Sequence, residues 1–502
     1  MAILSRNTLS SIKSRAEIGK ASSASPVGIL QIGDGNFLRA FADWMIDIAN
    51  GEGLMNGRVT IAQPLDRGIA DKLNAQDGLY TVLLRGVVSG KPVDSRRIVS
   101  CVDKSLNPYA QWDAMLALAT SPVLRFVVSN TTEAGIAHAD EALQPGVCPQ
   151  SFPAKVAALL WARFQKLGGG EKTGLVFLPC ELIEANGTKL RSIVLQHAAS
   201  WGLPAEFAQW IEQHNYFLNT LVDRIVPGFP ANEADGLFAD LGYDDPLLVA
   251  AEPFHLWVIE GPQHLSEELP LHKAGLDVVW TDDLQPYRTR KVRILNGAHT
   301  ASALAAFNAG LDTVQSMIDD SVVSKYLNTL MFKEIVPFVP LPEAERAAYA
   351  ESIMERFANA HIRHELISIA LNSVSKWQVR VLPTVRDYAR EHGKAPRLLS
   401  FSLAALLNFY HGRWTTAGEY EGERGGVAYP IRDNAEVLTA LAEAWRGWEP
   451  GQDLTARVRG MLGDARLWGE DLNAIPGLTE AVTASLTAIK AGGVKSAISA
   501  VL

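Results

Sequence analysis

Short apolar runs alternate with helix-patterned stretches through the first half of this sequence, and that alternation constrains its fold more than any other feature. Val27–Ile32 (VGILQI), Arg58–Gln63 (RVTIAQ), Leu79–Leu84 (LYTVLL), Leu124–Val128 (LRFVV) and Leu175–Leu178 (LVFL) read as short strands, and Phe37–Ala49 has helical spacing. Buried strands alternating with helices imply a largely parallel sheet covered on both faces, an α/β doubly wound domain. After about Pro286 the pattern changes. Glu343–Ala358, His361–Asn372, Arg397–Tyr410 and Ala435–Trp445 all carry helical spacing, and strand-like runs nearly disappear. With 502 residues, two or three domains are expected. The reading is a lead-in over 1–25, the doubly wound domain over 26–285 and a mainly α-helical domain over 286–502. The Gly- and Glu-rich stretch Thr415–Tyr429 is expected to be an exposed loop.

The net charge of −9 gives no electrostatic reason to expect nucleic acid or an anionic membrane as a partner. An anionic substrate would need a local basic pocket. Leu398–Tyr410 is the best apolar run, too short for a membrane helix, and reads as a buried helix. Cys101, Cys148 and Cys180 are too few and too scattered for a disulfide framework or a zinc cluster. Reduced thiols, a cytoplasmic location and no metal are the expectation. The first 26 residues are basic and Ser-rich, a composition shared with transit peptides. A loosely ordered lead-in to the first strand is the preferred reading.

Ile29–Ala40 (ILQIGDGNFLRA) runs from a strand through Gly33-x-Gly35 into a helix. A dinucleotide pyrophosphate must lie against amides at a helix N-terminus, and side chains in the turn would block it. Gly33 makes the tight turn and Gly35 lets the backbone approach the phosphates. Leu38 stands where a third glycine is usual. The second strand is read as ending at Asp66, whose carboxylate would bind ribose hydroxyls and repel a 2′-phosphate, favouring NAD over NADP. The neighbouring Arg67 could instead accommodate that phosphate, and an ordinary loop aspartate is also open.

Lys291–Thr300 (KVRILNGAHT) is placed early in a helix that follows Pro286. On an α-helix Lys291, Asn296 and His299 can converge on one side. A lysine of depressed pKa can exchange a proton with a hydroxyl as hydride leaves carbon, and an asparagine N–H can stabilise the developing oxyanion. His299 can bond the substrate or orient the lysine. Gly297, inside this helix, suggests the close approach of another group.

ILQIGDGNFLRAF, LRFVVSNTTEAGI, LPCELIEANG, NTLVDRIVPG and RKVRILNGAHTA, in one order along the chain, together resemble the polyol-specific long-chain dehydrogenase/reductase (mannitol dehydrogenase) family. They are most similar to its members that act on sugar acids of hexuronate breakdown. The resemblance implies a metal-independent, NAD-dependent oxidoreductase with a Rossmann-type N-terminal domain, a helical C-terminal domain and an active site between them. It implies cofactor contacts from Ile29, Gly33, Asp34, Gly35, Asn36, Phe37, Leu38, Arg39, Asp66, Asn130 and Thr132. Lys291 matches the family's general acid/base, Asn296 and His299 its substrate-oxygen ligands, and Asp223 and Arg224 a block near the substrate. Glu133 is placed on the cofactor side with no chemistry assigned.

The chain departs from the family at Cys180-Glu181-Leu182, where mannitol-oxidising relatives have Cys-Asp-Asn. Leu182 cannot donate to an oxyanion, so Asn186 is a possible substitute. The difference suggests a substrate with a terminal carboxylate, for which Lys376 and Arg380, one helical turn apart, are the expected cations. The expected partner is a small sugar acid, with no nucleic acid and no membrane; monomer and small homo-oligomer both stay open. A fructuronate reductase, a mannitol-type dehydrogenase, and a regulator that binds dinucleotide without chemistry are the rival readings.

Overall fold

The computed structural model describes residues 1–9, 16–22 and 24–502. The chain divides into two units, Met1–Gly86 with Pro92–Leu284, and Val87–Lys91 with Gln285–Leu502.

The first unit is built on six parallel strands: β1 (Val27–Ile32), β2 (Arg58–Ala62), β3 (Val102–Leu106), β4 (Phe126–Ser129), β5 (Val176–Pro179) and β6 (Tyr216–Phe217). Their spatial order is β3-β2-β1-β4-β5-β6, the doubly wound order of Rossmann folds. It reverses between β1 and β4, and ligands of such sheets bind beyond the carboxyl ends of the strands at that point. Side chains alternate across the sheet. Ile29, Phe126, Val128, Val176 and Leu178 enter one core with Phe41, Met45 and Ala49 of the helical stretch 36–51. Leu30, Ile32, Val127 and Phe177 enter the other with Val156, Leu160, Leu190 and Trp210 of the helices Phe152–Leu167, Asn186–Ser200 and Ala205–His214. In β1, β4 and β5 both faces are covered, so those strands read as mostly apolar runs, whereas the edge strand β3 (VDKSL) leaves Lys104 exposed.

Of Leu79–Leu84, all but Leu79 lie in the strand Tyr80–Val88, which belongs to a separate four-stranded sheet with Glu17–Ile18, Lys91–Val99 and Val249–Ala251. Ser89 and Gly90 both have positive φ (50° and 72°), which makes a tight hairpin turn in place of a crossover to a parallel strand. A mixed three-stranded sheet, Asn219–Asp223, Leu256–Glu260 and Val278–Thr281, has no counterpart in the sequence reading. The lead-in is not loose where it is described. Leu4 is fully buried, its amide bonds Asp244, and Gly19 bonds Ile98. Positions 10–15 and 23 of that lead-in lie outside the described residues.

The second unit is mainly helical. Gly297–Asn308 is composed largely of small residues and is buried along most of its length. Its Asn308 side chain donates to the Ala405 carbonyl in the almost wholly buried helix Arg397–Phe409. That helix begins on a buried carboxylate: Glu334 accepts from the Leu398 and Leu399 amides at 2.9 and 2.8 Å. Negative charge at a helix N-terminus is stabilising. His361–Asn372 is not one helix. Val314 donates to the His364 carbonyl and Leu366 to that of Asp312, so the stretch runs from a turn at His361–Ile362 into an extended piece, and only Leu366–Ile369 is helical. Thr415–Tyr429 is not a plain loop. It forms most of an antiparallel meander, Gly412–Trp414, Tyr420–Arg424 and Val427–Pro430, turned at Gly425-Gly426, both at positive φ. Among the described residues no helix is long and apolar enough to cross a membrane.

Candidate active site

The turn after β1 separates two uses of glycine. Gly33 has φ +132°, and a Cβ there would lie 2.8 Å from the Asn130 carbonyl oxygen. The fold itself requires this glycine. Gly35 has extended backbone (φ −69°, ψ 167°), open to any residue, and an added Cβ would meet nothing within 4 Å. Neither conformation nor a protein contact calls for glycine at 35. It sits at the N-cap of the helix opening with Asn36, the geometry in which free amides receive a phosphate. The residues present therefore fit a dinucleotide, and Gly35 is the position whose side chain would intrude on it.

The flanking residues mostly build the turn. Asp34 accepts from the Ile69 amide at 2.7 Å, tying the loop after β2 to the glycines. Arg39 is expected at the cofactor but is buried. It donates to the Leu247 carbonyl at 2.6 Å, to Asn36 Oδ1 at 2.7 Å and to the Asp34 carbonyl at 3.3 Å, so it clamps the turn from behind. Ile29 and Leu38 are core residues, and Phe37 stacks on Phe41 with centroids 4.8 Å apart. A π-turn at Arg39–Asp43 interrupts the helix, which sequence spacing does not reveal. The second strand ends at Ala62, not at Asp66. Asp66 lies in the loop beyond, exposed, with Oδ1 accepting from Asn107 at 3.2 Å.

Beyond β4 the chain is held by Glu181. This buried carboxylate accepts from the Thr131 amide and hydroxyl, both at 2.9 Å, and from Ser129 Oγ at 3.1 Å. Burial pushes it upward; the hydrogen bonds oppose that. Asn130 donates its side-chain Nδ2 to the Cys180 carbonyl, and Thr132 is exposed at φ +70°. Glu133 is exposed. Glu181, which the sequence reading treats only as a departure from a motif, thus shapes the rim beside the glycine turn. Leu182 is 65% exposed.

Asn186 does not supply an oxyanion donor. Its buried Nδ2 donates to the carbonyls of Pro179, Glu181 and Thr220, and its Oδ1 accepts from the Gly187 and Thr220 amides. Both amide hydrogens are spent on backbone. Asp223 is buried at the end of its strand. Arg224, expected at the substrate, is buried over Trp44 (4.2 Å) and donates to the Glu252 and Ala40 carbonyls. Its main contacts fix backbone.

In the second unit the α-helical placement of Lys291–Thr300 needs revision. Gln285–Arg290 is α-helical, Lys291–Asn296 is a π-turn, and α-helix resumes at Gly297. The Gly297 amide reaches back five residues to the Val292 carbonyl. With i→i+5 spacing Asn296 lies about one turn above Lys291 on the same side, where an α-helix would rotate it away. Such π-bulges recur at functional sites. Gly297 has the close approach that its position suggests: a Cβ there would stand 3.2 Å from the Arg380 carbonyl oxygen.

His299 stacks on Phe357 (4.0 Å) and meets His364 edge to face (5.3 Å). Its Nε2 is buried, with no hydrogen-bond partner among the described residues. Burial, then His364, Arg356 and Arg380, holds it well below the usual imidazole range, so it is neutral near pH 7. Arg380 Nη1 lies 3.4 Å from Thr300 Oγ1. Lys376 turns its Nζ onto the Ile369 carbonyl at 3.0 Å, so the two expected carboxylate ligands differ in what they face. His364 and Arg356 escape sequence reasoning, because nothing local marks residues brought to His299 by packing.

Residues 27–273 match the model of the mannitol dehydrogenase Rossmann domain, and residues 283–490 that of the mannitol dehydrogenase C-terminal domain. The altronate oxidoreductase of Halalkalibacterium halodurans is 43% identical over 493 residues, covering 98% of this chain and 96% of that protein. The altronate oxidoreductase of Yersinia enterocolitica is 44% identical over 477 residues, covering 95% and 97%. Among solved structures, a substrate-free D-sorbitol dehydrogenase superposes with TM-score 0.80 at 24% identity, covering 99% of this chain and all of that one. Mannitol 2-dehydrogenase of Pseudomonas fluorescens, in a ternary complex with NAD and D-mannitol, superposes at 0.68 and 22% identity, covering 99% of both.

Proposed function

This chain belongs to the mannitol dehydrogenase family and is an oxidoreductase acting on CH–OH groups, and from that premise we propose that it interconverts D-altronate and D-tagaturonate using NAD. The substrate rests on relatives of that name, 43–44% identical over nearly their whole length. One observation carries the chemistry: the π-turn over Lys291–Asn296, followed by His299, whose buried Nε2 has no hydrogen-bond partner among the described residues.

Residues 33–38 would hold the pyrophosphate, with Gly33 shaping the turn and Gly35 giving room at the helix N-terminus. NAD, when bound, accepts or delivers the hydride at the substrate's carbinol carbon. In the reducing direction Lys291 gives its proton to the carbonyl oxygen as that carbon is reduced. In the oxidising direction the neutral amine takes the hydroxyl proton back. Asn296 donates its amide N–H to the same oxygen while negative charge develops there. His299 positions the substrate through Nε2.

Steady-state assays with NADH and D-tagaturonate, D-fructuronate or D-fructose test this reading. Tagaturonate should give a kcat/KM at least about tenfold above the other two, about 1.4 kcal/mol of discrimination. Preference for fructose, or NADH binding without turnover of any of the three, would sink it. Asp66 is proposed to set the coenzyme preference by repelling a 2′-phosphate. Asp66→Ala is expected to narrow the NADH-to-NADPH ratio of kcat/KM by about tenfold, on the order of one like-charge contact. An unchanged ratio would remove Asp66 from that role.

A further inference from the structure

A helix left to itself keeps α spacing, so the π-turn over Lys291–Asn296 has to be held by what surrounds it. Arg290 and Arg293 tie it to two different helices. Arg290, immediately before Lys291, is buried. Its guanidinium lies over the rings of Tyr287 (5.2 Å) and Tyr349 (4.3 Å), and its Nη1 is 2.9 Å from Glu345 Oε1 in the helix Glu343–Phe357. Arg293, inside the turn, donates from Nη1 to Asp387 Oδ2 at 2.6 Å, in the helix Leu382–His392, and to the Phe338 carbonyl at 2.8 Å. The far end of the turn is fixed in another way. Gly297 lies against backbone, with the Arg380 carbonyl oxygen 3.2 Å from the place of a Cβ. Lys291 is thus anchored from one end of the turn and Asn296 from the other.

The side chains of Arg293 and Asp387 keep some contact with solvent (17% and 27% exposed), so their ion pair adds little to stability. Its larger effect is on direction, because two acceptors on separate elements fix one guanidinium. Displacing a reacting group by about 1 Å can cost about 10²-fold in rate. We infer that Arg293, through Asp387 and the Phe338 carbonyl, is a positioning residue that sets where Lys291 stands relative to the substrate oxygen, with Arg290 on Glu345 as the second anchor. This rests on the reading that Lys291 transfers the proton.

A double-mutant cycle tests it with NADH and D-tagaturonate, or with whichever of D-fructuronate and D-fructose the parent reduces if tagaturonate is not turned over. Arg293→Met should lower kcat by about 10- to 100-fold, with the Kd for NADH within about twofold of the parent. Arg293→Lys should recover part of the rate. In the Lys291→Ala background the same Arg293→Met substitution should change kcat by less than about threefold, because the group it positions is gone. A merely structural role would lower the rate by the same factor in both backgrounds. Equal factors, or an unchanged kcat in Arg293→Met, overturn the inference and leave proton transfer by Lys291 standing. Near-parental turnover in Lys291→Ala, or no turnover of any of the three ketoses by the parent, removes the functional reading and this inference with it. If Arg293→Met does not fold, Asp387→Ala takes its place in the cycle and is read by the same outcomes.

Discussion

Gly35→Thr is expected to raise the Kd for NADH by about 10- to 100-fold with little change in the thermal midpoint. Threonine and glycine are similar at an N-cap, and the backbone at 35 is extended, so the helix keeps its start. The added side chain meets no protein atom near its Cβ. It enters the space in which a pyrophosphate would contact the amides at the helix N-terminus, and overfilling a fitted space costs about 1–3 kcal/mol. Gly33→Thr is the control. Its φ of +132° and the Asn130 carbonyl 2.8 Å from any Cβ strain the fold itself, so its thermal midpoint should fall together with NADH affinity. Fluorescence titration with NADH and a thermal melt read both quantities. If Gly35→Thr bound NADH within about twofold of the parent, the glycine turn would not be the cofactor cradle.

Four of the six parallel strands were legible because covered strands are largely apolar, and β1 begins and ends where its six-residue run does; β3 (VDKSL), with Lys104 exposed, and the two-residue β6 carry no such run. The hairpin Tyr80–Val99 was not legible, since its first strand has the same composition as a buried parallel one, and Ser89-Gly90 decides the direction. The glycine turn and the spacing of Lys291, Asn296 and His299 stood out in the sequence, but the π-turn over Lys291–Asn296 did not. Helical periodicity is read by assuming 3.6 residues per turn, and a single wider turn leaves no mark in composition. Arg39, Asn186 and Arg224 carry another lesson. Polar residues beside a motif look like ligands, yet Asn186 donates both amide hydrogens, and Arg39 and Arg224 most of their bonds, to backbone carbonyls of the interior. His364 was invisible because its partner lies far along the chain and only tertiary structure joins them.

Lys291→Ala is expected to lower turnover by about 10²–10⁴-fold, the usual contribution of a positioned acid/base. The loss should fall on kcat, because the proton moves only as the carbon–hydride bond is made or broken, and NADH affinity should stay near that of the parent. Asn296→Ala should cost less, about 10²–10³-fold, as one oxyanion donor does. The most direct measurement is a single turnover: Lys291→Ala is saturated with NADH, mixed with D-tagaturonate, and the loss of NADH absorbance is followed. Normal NADH binding and a rate reduced by at least about 10²-fold are expected. Oxidation of NADH within a few-fold of the parent's rate would contradict a proton-transfer role for Lys291.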